Sequence, residues 1–348
     1  MNLLLTLAVV FGILVLVRIA NVAQMAAELS GETDEEEEEK ANKWNSLGFL
    51  LFMVIGLPVM VYYTIKWRPL MLPVAASEHG VGVDKLMDIN WLVLIVTFFI
   101  TSILLFWFAY KYRYNKNRRS YYFHDNMKLE MLWTVVPTIV LSGLIVTGLM
   151  EWNKITDMTK SEQGLKVQIY AKQFDFTARY SGKDNKLGSS FFRNITDTNP
   201  LGVDASDANA ADDKFSTELV MPVGEEIELV INSRDVIHSV YLPHFRVQMN
   251  AVPGMTTRFH FKPTITTTKM KEITGDTKFE YILLCNKICG VAHYNMKMPV
   301  RVVEKEEYAT WLREQKKVFT REAINAAMGI SAPAPASSPI DTTVVSAK

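Results

Sequence analysis

The sequence predicts membrane-spanning α-helices followed by an all-β domain outside the membrane, and three observations carry that prediction. Residues 47–65, 91–110 and 131–150 are charge-free apolar stretches, each about twenty residues long and able to cross ~30 Å of hydrocarbon. After about residue 164 the texture changes to short runs of β-branched and aromatic residues, several alternating with period two. Turn signals at Ser181-Gly182, Pro222-Val223-Gly224 and Pro253-Gly254 punctuate those runs.

Composition narrows the class further. Of 348 residues 49 % are hydrophobic and only 21 % charged, which excludes disorder of the whole chain. The 37 Lys and Arg cancel 37 Asp and Glu, so nothing favours wholesale binding to nucleic-acid phosphates. Two cysteines, Cys285 and Cys289, cannot build a dense disulfide framework.

Residues 3–17 form a shorter apolar run, followed by Arg18. No basic residue precedes the run, which favours a retained helix over a cleaved signal peptide and gives four spans in all. Lys111, Arg113, Lys116, Arg118, Arg119 and Lys128 lie between the last two spans and place that loop in the cytoplasm. The segment 28–45, with its acidic run 35–39, is then a cytoplasmic loop, and everything after Trp152 is outside. Pro58 and Pro137 are expected to kink their spans.

Strands are predicted at 165–171, 174–180, 226–232, 239–242, 258–261, 279–284 and 298–303, arranged as an antiparallel sandwich or barrel. Residues 182–214 read as a polar insertion whose Asp204, Asp207, Asp212 and Asp213 belong to a solvated loop. A terminal helix is expected within 304–327. The Ala/Pro/Ser tail 331–348 cannot bury a core.

The chemistry concentrates in Cys285-Asn286-Lys287-Ile288-Cys289-Gly290-Val291-Ala292-His293-Tyr294-Asn295-Met296. Two thiols, an imidazole and a thioether at the end of a predicted strand suit copper far better than magnesium or calcium. His238, after Asp235-Val236-Ile237, offers a second imidazole. A disulfide and a mononuclear zinc or blue-copper site are the competing readings, but blue copper uses one Cys. Two cysteines able to bridge favour a dinuclear centre. His79, His124, His244 and His260 read as structural.

These residues resemble subunit II of haem–copper cytochrome c oxidase. Besides the cysteine loop, the resemblance lies in Leu129-Glu130-Met131-Leu132-Trp133-Thr134-Val135-Val136-Pro137 and Ser233-Arg234-Asp235-Val236-Ile237-His238-Ser239. It continues in 248–254, ending Ala251-Val252-Pro253-Gly254, and in Ala171-Lys172-Gln173-Phe174-Asp175-Phe176. The resemblance implies a cupredoxin-like Greek-key β-barrel on the periplasmic side of a bacterial inner membrane. It also implies two copper ions in a dinuclear CuA centre held by His238, Cys285, Cys289, His293, Met296 and the backbone carbonyl of Lys287. One electron at a time would then arrive from a cytochrome c, or a cytochrome c domain, and pass to haem in subunit I of a proton-pumping oxidase that also contains subunit III. Oxygen chemistry belongs to subunit I, not to this chain.

Three departures from the family pattern matter. Lys287 replaces a Glu whose carboxylate meets magnesium at the subunit I interface, which puts that contact in question. Asn250 replaces an Asp near the donor surface, and Phe174 replaces the Trp at the electron inlet. Glu130, at the cytoplasmic edge of a span, matches the family's proton-uptake entrance, although an acid there also suits a helix start. Cys-x-x-Cys-His is absent, so no covalent haem is expected. A copper-free quinol oxidase subunit, a nitrous oxide reductase domain and a copper-storage protein fit the ligand set or the helices less well.

The expected domains are 1–69, an extra region with two membrane helices; 70–155, the family's helix pair; 156–305, the copper domain; and 306–348, helix and tail. The extra helices are expected to face lipid or to dock a quinol-oxidising complex in a supercomplex.

Overall fold

The structure, a computed structural model, describes residues 2–30, 35–157, 159, 164–319 and 324. Four long helices come first: α1 (Asn2–Ser30), α2 (Glu35–Trp67), α3 (Glu78–Lys111) and α4 (Met127–Thr156). Among the described residues, three of them are long and apolar enough to cross a membrane, and Val10–Ala26 within α1 is a shorter apolar helix. The described residues form two compact units, one drawn from 2–72 and 89–138 and the other from 73–88 and 139–324.

The helices outrun the apolar stretches. The acidic run expected in a loop is instead the first turn of α2, where carboxylates near the positive end of a helix dipole are favourable. Within the first unit, Phe106 of α3 packs against Phe49 and Phe52 of α2 at ring distances of 6.3 and 5.5 Å. Pro58 and Pro137 lie inside α2 and α4.

In the second unit the chain forms β1 (Leu165–Lys172), β2 (Asp175–Tyr180), β3 (Lys214–Ser216), β4 (Leu219–Pro222), β5 (Ile227–Ser233), β6 (His238–Leu242), β7 (Val247–Ala251) and β8 (Thr257–Phe261). Helix α5 (Thr267–Thr274), strands β9 (Tyr281–Leu284) and β10 (Lys297–Val303) and helix α6 (Lys305–Glu314) complete it. Two five-stranded sheets, ordered β3-β2-β1-β5-β8 and β4-β10-β9-β6-β7, feed one core that includes Val167, Ile169, Phe176, Leu229, Val240 and Val300. This is the cupredoxin-like arrangement that the resemblance implies.

The sheets are mixed, not antiparallel throughout, because β1 pairs with β5 and β4 with β10 in parallel. Alternation tells which face of a strand is buried but not which way its neighbour runs. A parallel neighbour also requires a crossover, which the excursion after β2 supplies. Residues 247–251, where no strand was expected, form β7 against β6. Strands β3 and β4, too short for a periodic signal, and α5 were not expected. Thr266 caps α5 by accepting the Lys269 N–H at 3.2 Å. The terminal helix stops at Glu314. Residues 320–323, 325–327 and the tail 331–348 lie outside the described residues.

The insertion is not wholly solvated. Asp213 is fully buried and pairs with Arg179 of β2 at 3.2 Å, while the Gly188 N–H donates to the same carboxylate oxygen at 3.0 Å. Arg179 also donates to the Gly188 carbonyl at 2.9 Å, so one ion pair pins the excursion to the barrel. Burial pushes the Asp213 carboxyl up to about 6 against the pull of Arg179.

Further polar contacts fasten helix ends to the barrel within this unit. Arg246 grips Asp84 through both carboxylate oxygens at 2.8 and 2.9 Å, and the Ser77 hydroxyl donates to the Phe245 carbonyl at 2.7 Å. His260 sits 2.5 Å from a Glu226 oxygen and 3.1 Å from the Lys154 carbonyl.

Candidate metal centre

Strand β6 begins at His238, which is fully buried. Strands β9 and β10 are joined by the loop from Cys285 to Met296, closed at its base where the Cys285 N–H donates to the Met296 carbonyl at 3.1 Å. Inside the loop a single turn at His293–Asn295 directs the second imidazole back toward the cysteines. The topology thus brings together two segments 47 residues apart.

The donor atoms meet. His238 Nδ1 lies 3.9 Å from Cys285 Sγ, and His293 Nδ1 lies 3.5 Å from Cys289 Sγ. The two sulfurs are 3.9 Å apart, both thiols are free, and Met296 Sδ is 3.7 Å from Cys289 Sγ. The Lys287 carbonyl is 3.2 Å from Cys285 Sγ. Ligand atoms of His238, Cys285 and Cys289 all lie within 4.8 Å of one another in a buried group. Bonds of about 2.0–2.3 Å to a tetrahedral ion separate its ligands by roughly 3.3–3.8 Å, so these spacings are close to the edges of a coordination polyhedron.

Electrostatics fit a cation. Burial, with the Cys285 sulfur close by, pushes the Cys289 thiol up to about 11. The ligand form of the residue is the thiolate, so a metal ion taken up here would displace that proton. His238 Nε2 faces Asp235 Oδ1 at 2.8 Å, leaving Nδ1 toward the sulfur. Burial alone raises the Asp235 carboxyl, but hydrogen bonds from the Gln173 N–H, His238 and the Val236 N–H outweigh it and hold it below the ordinary range.

All six expected metal-site residues therefore converge. The Lys287 side chain is exposed, so its backbone alone faces the sulfurs. Phe174 is half-buried in the two-residue turn between β1 and β2, and its ring lies against Gly290: a Cβ added there would be 2.8 Å from the ring. Glu130 belongs to the first unit. It accepts the Asn126 N–H at 3.1 Å, while Asn126 Oδ1 accepts the Leu129 N–H at 3.1 Å, a reciprocal cap at the start of α4. Sequence reading missed the parts played by Asp235 and Gln173. Asp235 was legible as a carboxylate three residues before a ligand histidine, whereas Gln173 carries no such signal.

Comparison with known proteins places these features in a group. Residues 65–149 match the family described as "Cytochrome C oxidase subunit II, transmembrane domain", and residues 166–304 match "Cytochrome C oxidase subunit II, periplasmic domain". An alternative cytochrome c oxidase subunit 2 from Bradyrhizobium diazoefficiens is 32 % identical over 77 % of this chain and 91 % of its own length. The cytochrome c oxidase subunit 2 of Thermostichus vulcanus is 26 % identical over 73 % of this chain and 81 % of its own. The crystal structure of the periplasmic domain of subunit II from Bradyrhizobium japonicum aligns with 45 % of this chain and 96 % of its own at 23 % identity and a TM-score of 0.30.

Proposed function

The chain belongs to the cytochrome c oxidase subunit II family, and we propose that it receives single electrons from a cytochrome c, or a cytochrome c domain, at two copper ions and passes them to haem in subunit I. The observation that carries this reading is the paired donor set: two sulfurs flanked by one imidazole each, with a thioether and a carbonyl beside them. Two four-coordinate ions need more bonds than six separate donors supply, and sharing both sulfurs makes up the difference. A lone zinc ion would leave donors idle. When bound, such a copper pair would spread one electron over both ions and so need little change of geometry on transfer.

The chain's own residues do the rest. Cys285, Cys289, His238 and His293 would hold the copper pair, with the Met296 thioether as a weaker ligand that would tune more than it binds. Strand β6 and the loop closed between β9 and β10 hold all of them at fixed spacing, which keeps reorganisation low. Phe174 fills the approach to the loop as the electron inlet. Lys287 contributes its carbonyl and offers no carboxylate to magnesium. Electron paramagnetic resonance with metal analysis on the assembled protein tests the reading. A delocalised seven-line signal with two coppers per chain is expected, and one copper with a four-line signal, zinc, or no metal would refute it.

In this reading the barrel is periplasmic on a bacterial inner membrane, α1 is a fourth span, subunits I and III are partners, and Glu130 stands at the mouth of a proton route. Its carboxylate caps α4 on the side that the basic loop assigns to the cytoplasm. Glu130→Gln should slow proton uptake severalfold while copper reduction stays intact, which flash-induced proton and absorbance measurements separate. Loss of copper reduction instead would show that the assignment is wrong. The two extra helices are read as a docking surface for a quinol-oxidising complex, so removing residues 1–69 should abolish co-purification in mild detergent. Unchanged co-purification would refute that reading.

A further inference from the structure

We propose that Asp235 and Gln173 are positioning residues that brace the β1–β2 turn, and with it Phe174, onto both segments of the donor set. Strand pairing ends at Lys172 and Asp175, so the ladder leaves Gln173 and Phe174 unsupported. Asp235 supplies the missing support. Its Oδ2 accepts the Gln173 backbone N–H at 2.7 Å, while its Oδ1 accepts the Val236 N–H at 2.7 Å and faces His238 Nε2 at 2.8 Å. A carboxylate only accepts hydrogen bonds, so the ring carries its proton on Nε2 and presents an Nδ1 lone pair to the sulfur side. One side chain thus fixes both the tautomer of a ligand imidazole and the backbone of the turn.

Gln173 closes the other half. Its side-chain Nε2 donates to the Cys289 carbonyl at 2.5 Å, tying the same turn to the second sulfur ligand. Gly290 completes the fit, because its φ of +142° disfavours a side chain, and a Cβ there would come within 2.8 Å of the Phe174 ring and 2.9 Å of Gln173 Nε2. The ring therefore rests directly on the backbone beside Cys289. The inference extends the copper reading above and supplies the reason why a Phe without an indole N–H stays in place.

Asp235→Asn in the full chain tests it, since the shape persists while the charge is lost and one of the two acceptor oxygens becomes a donor. In the assembled oxidase the variant should keep both coppers but lose about 10–100-fold in copper affinity. Its reduction potential should move upward, because an imidazole without a carboxylate partner donates less charge to the metal. A variant with wild-type affinity, potential and hyperfine pattern overturns the positioning role.

A second measurement needs no metal. In the copper-free full chain in detergent, exchange of the Gln173 backbone amide hydrogen should be slow and should speed up about tenfold in Asp235→Ala, which removes both acceptor oxygens. Equal exchange in the two proteins overturns the brace whatever the site binds. A protected amide in a chain that takes up no copper pair would uphold the brace and remove the copper reading instead.

Discussion

Replacing Cys285 or Cys289 by Ser is expected to abolish the mixed-valence copper signal and oxidase turnover together. A serine hydroxyl is a hard oxygen that stays protonated near neutral pH, so it neither bridges nor attracts soft copper. The sulfurs lie 3.9 Å apart with one imidazole on each, and losing either removes half of the shared sulfur donors that two ions would need. Because the pair acts as a unit, the double variant should be no worse than either single one. Both side chains are buried beneath a loop closed by backbone hydrogen bonds, and replacing sulfur with oxygen removes little volume, so the barrel should still fold. Paramagnetic resonance and oxygen uptake on the same preparation check this, and normal turnover in either variant would rule out the proposed route.

Arg179→Met should cost about 3–5 kcal/mol of barrel stability, because it leaves the Asp213 carboxylate buried without its counter-charge. The sign with pH follows from the raised Asp213 value of about 6, against 3.8 for the ordinary group. A carboxyl whose value is higher in the fold than in the unfolded chain favours folding when protonated and loses that contribution as pH rises through about 6. Without Arg179 the carboxyl titrates higher still, so the variant's deficit should be largest where Asp213 is ionised in both proteins and shrink as acid neutralises it. Thermal unfolding at a series of pH values measures it, and a deficit independent of pH would show that the ion pair does not pin the insertion. Arg179 also donates to the Gly188 carbonyl, so opening should begin in the excursion between β2 and β3.

The membrane helices and most strands were legible because their signals are local. Twenty apolar residues without charge admit few other structures, and the alternation in β1 and β10 has a period that no helix shares. The metal donors were legible for a different reason: soft ligands are rare, and four of them fall within one loop. What stayed hidden depends on partners far along the chain. Nothing near Asp213 marks it as buried, since its counter-charge lies 34 residues earlier in β2. The parallel pairing of β1 with β5 depends on the path between them and not on either strand. Gln173 looks like any turn residue until the Cys289 carbonyl, 116 residues away, arrives beside it. The acidic start of α2 misled because a run of Glu usually marks a loop, whereas its position at a helix start makes it favourable.

The metal loop has two faces with opposite fates. Cys285, Cys289 and Met296 are 8 %, 5 % and 1 % exposed, while Ile288, Val291 and Tyr294 between them are 88 %, 92 % and 89 % exposed. In the proposed copper reading, the inward positions are constrained by coordination chemistry and tolerate almost nothing. Outward positions, Lys287 included, answer only to whatever surface they meet. The two faces can therefore drift independently, so a change in the surface this loop meets can be written into the outer side chains while the inner sulfurs stay as they are.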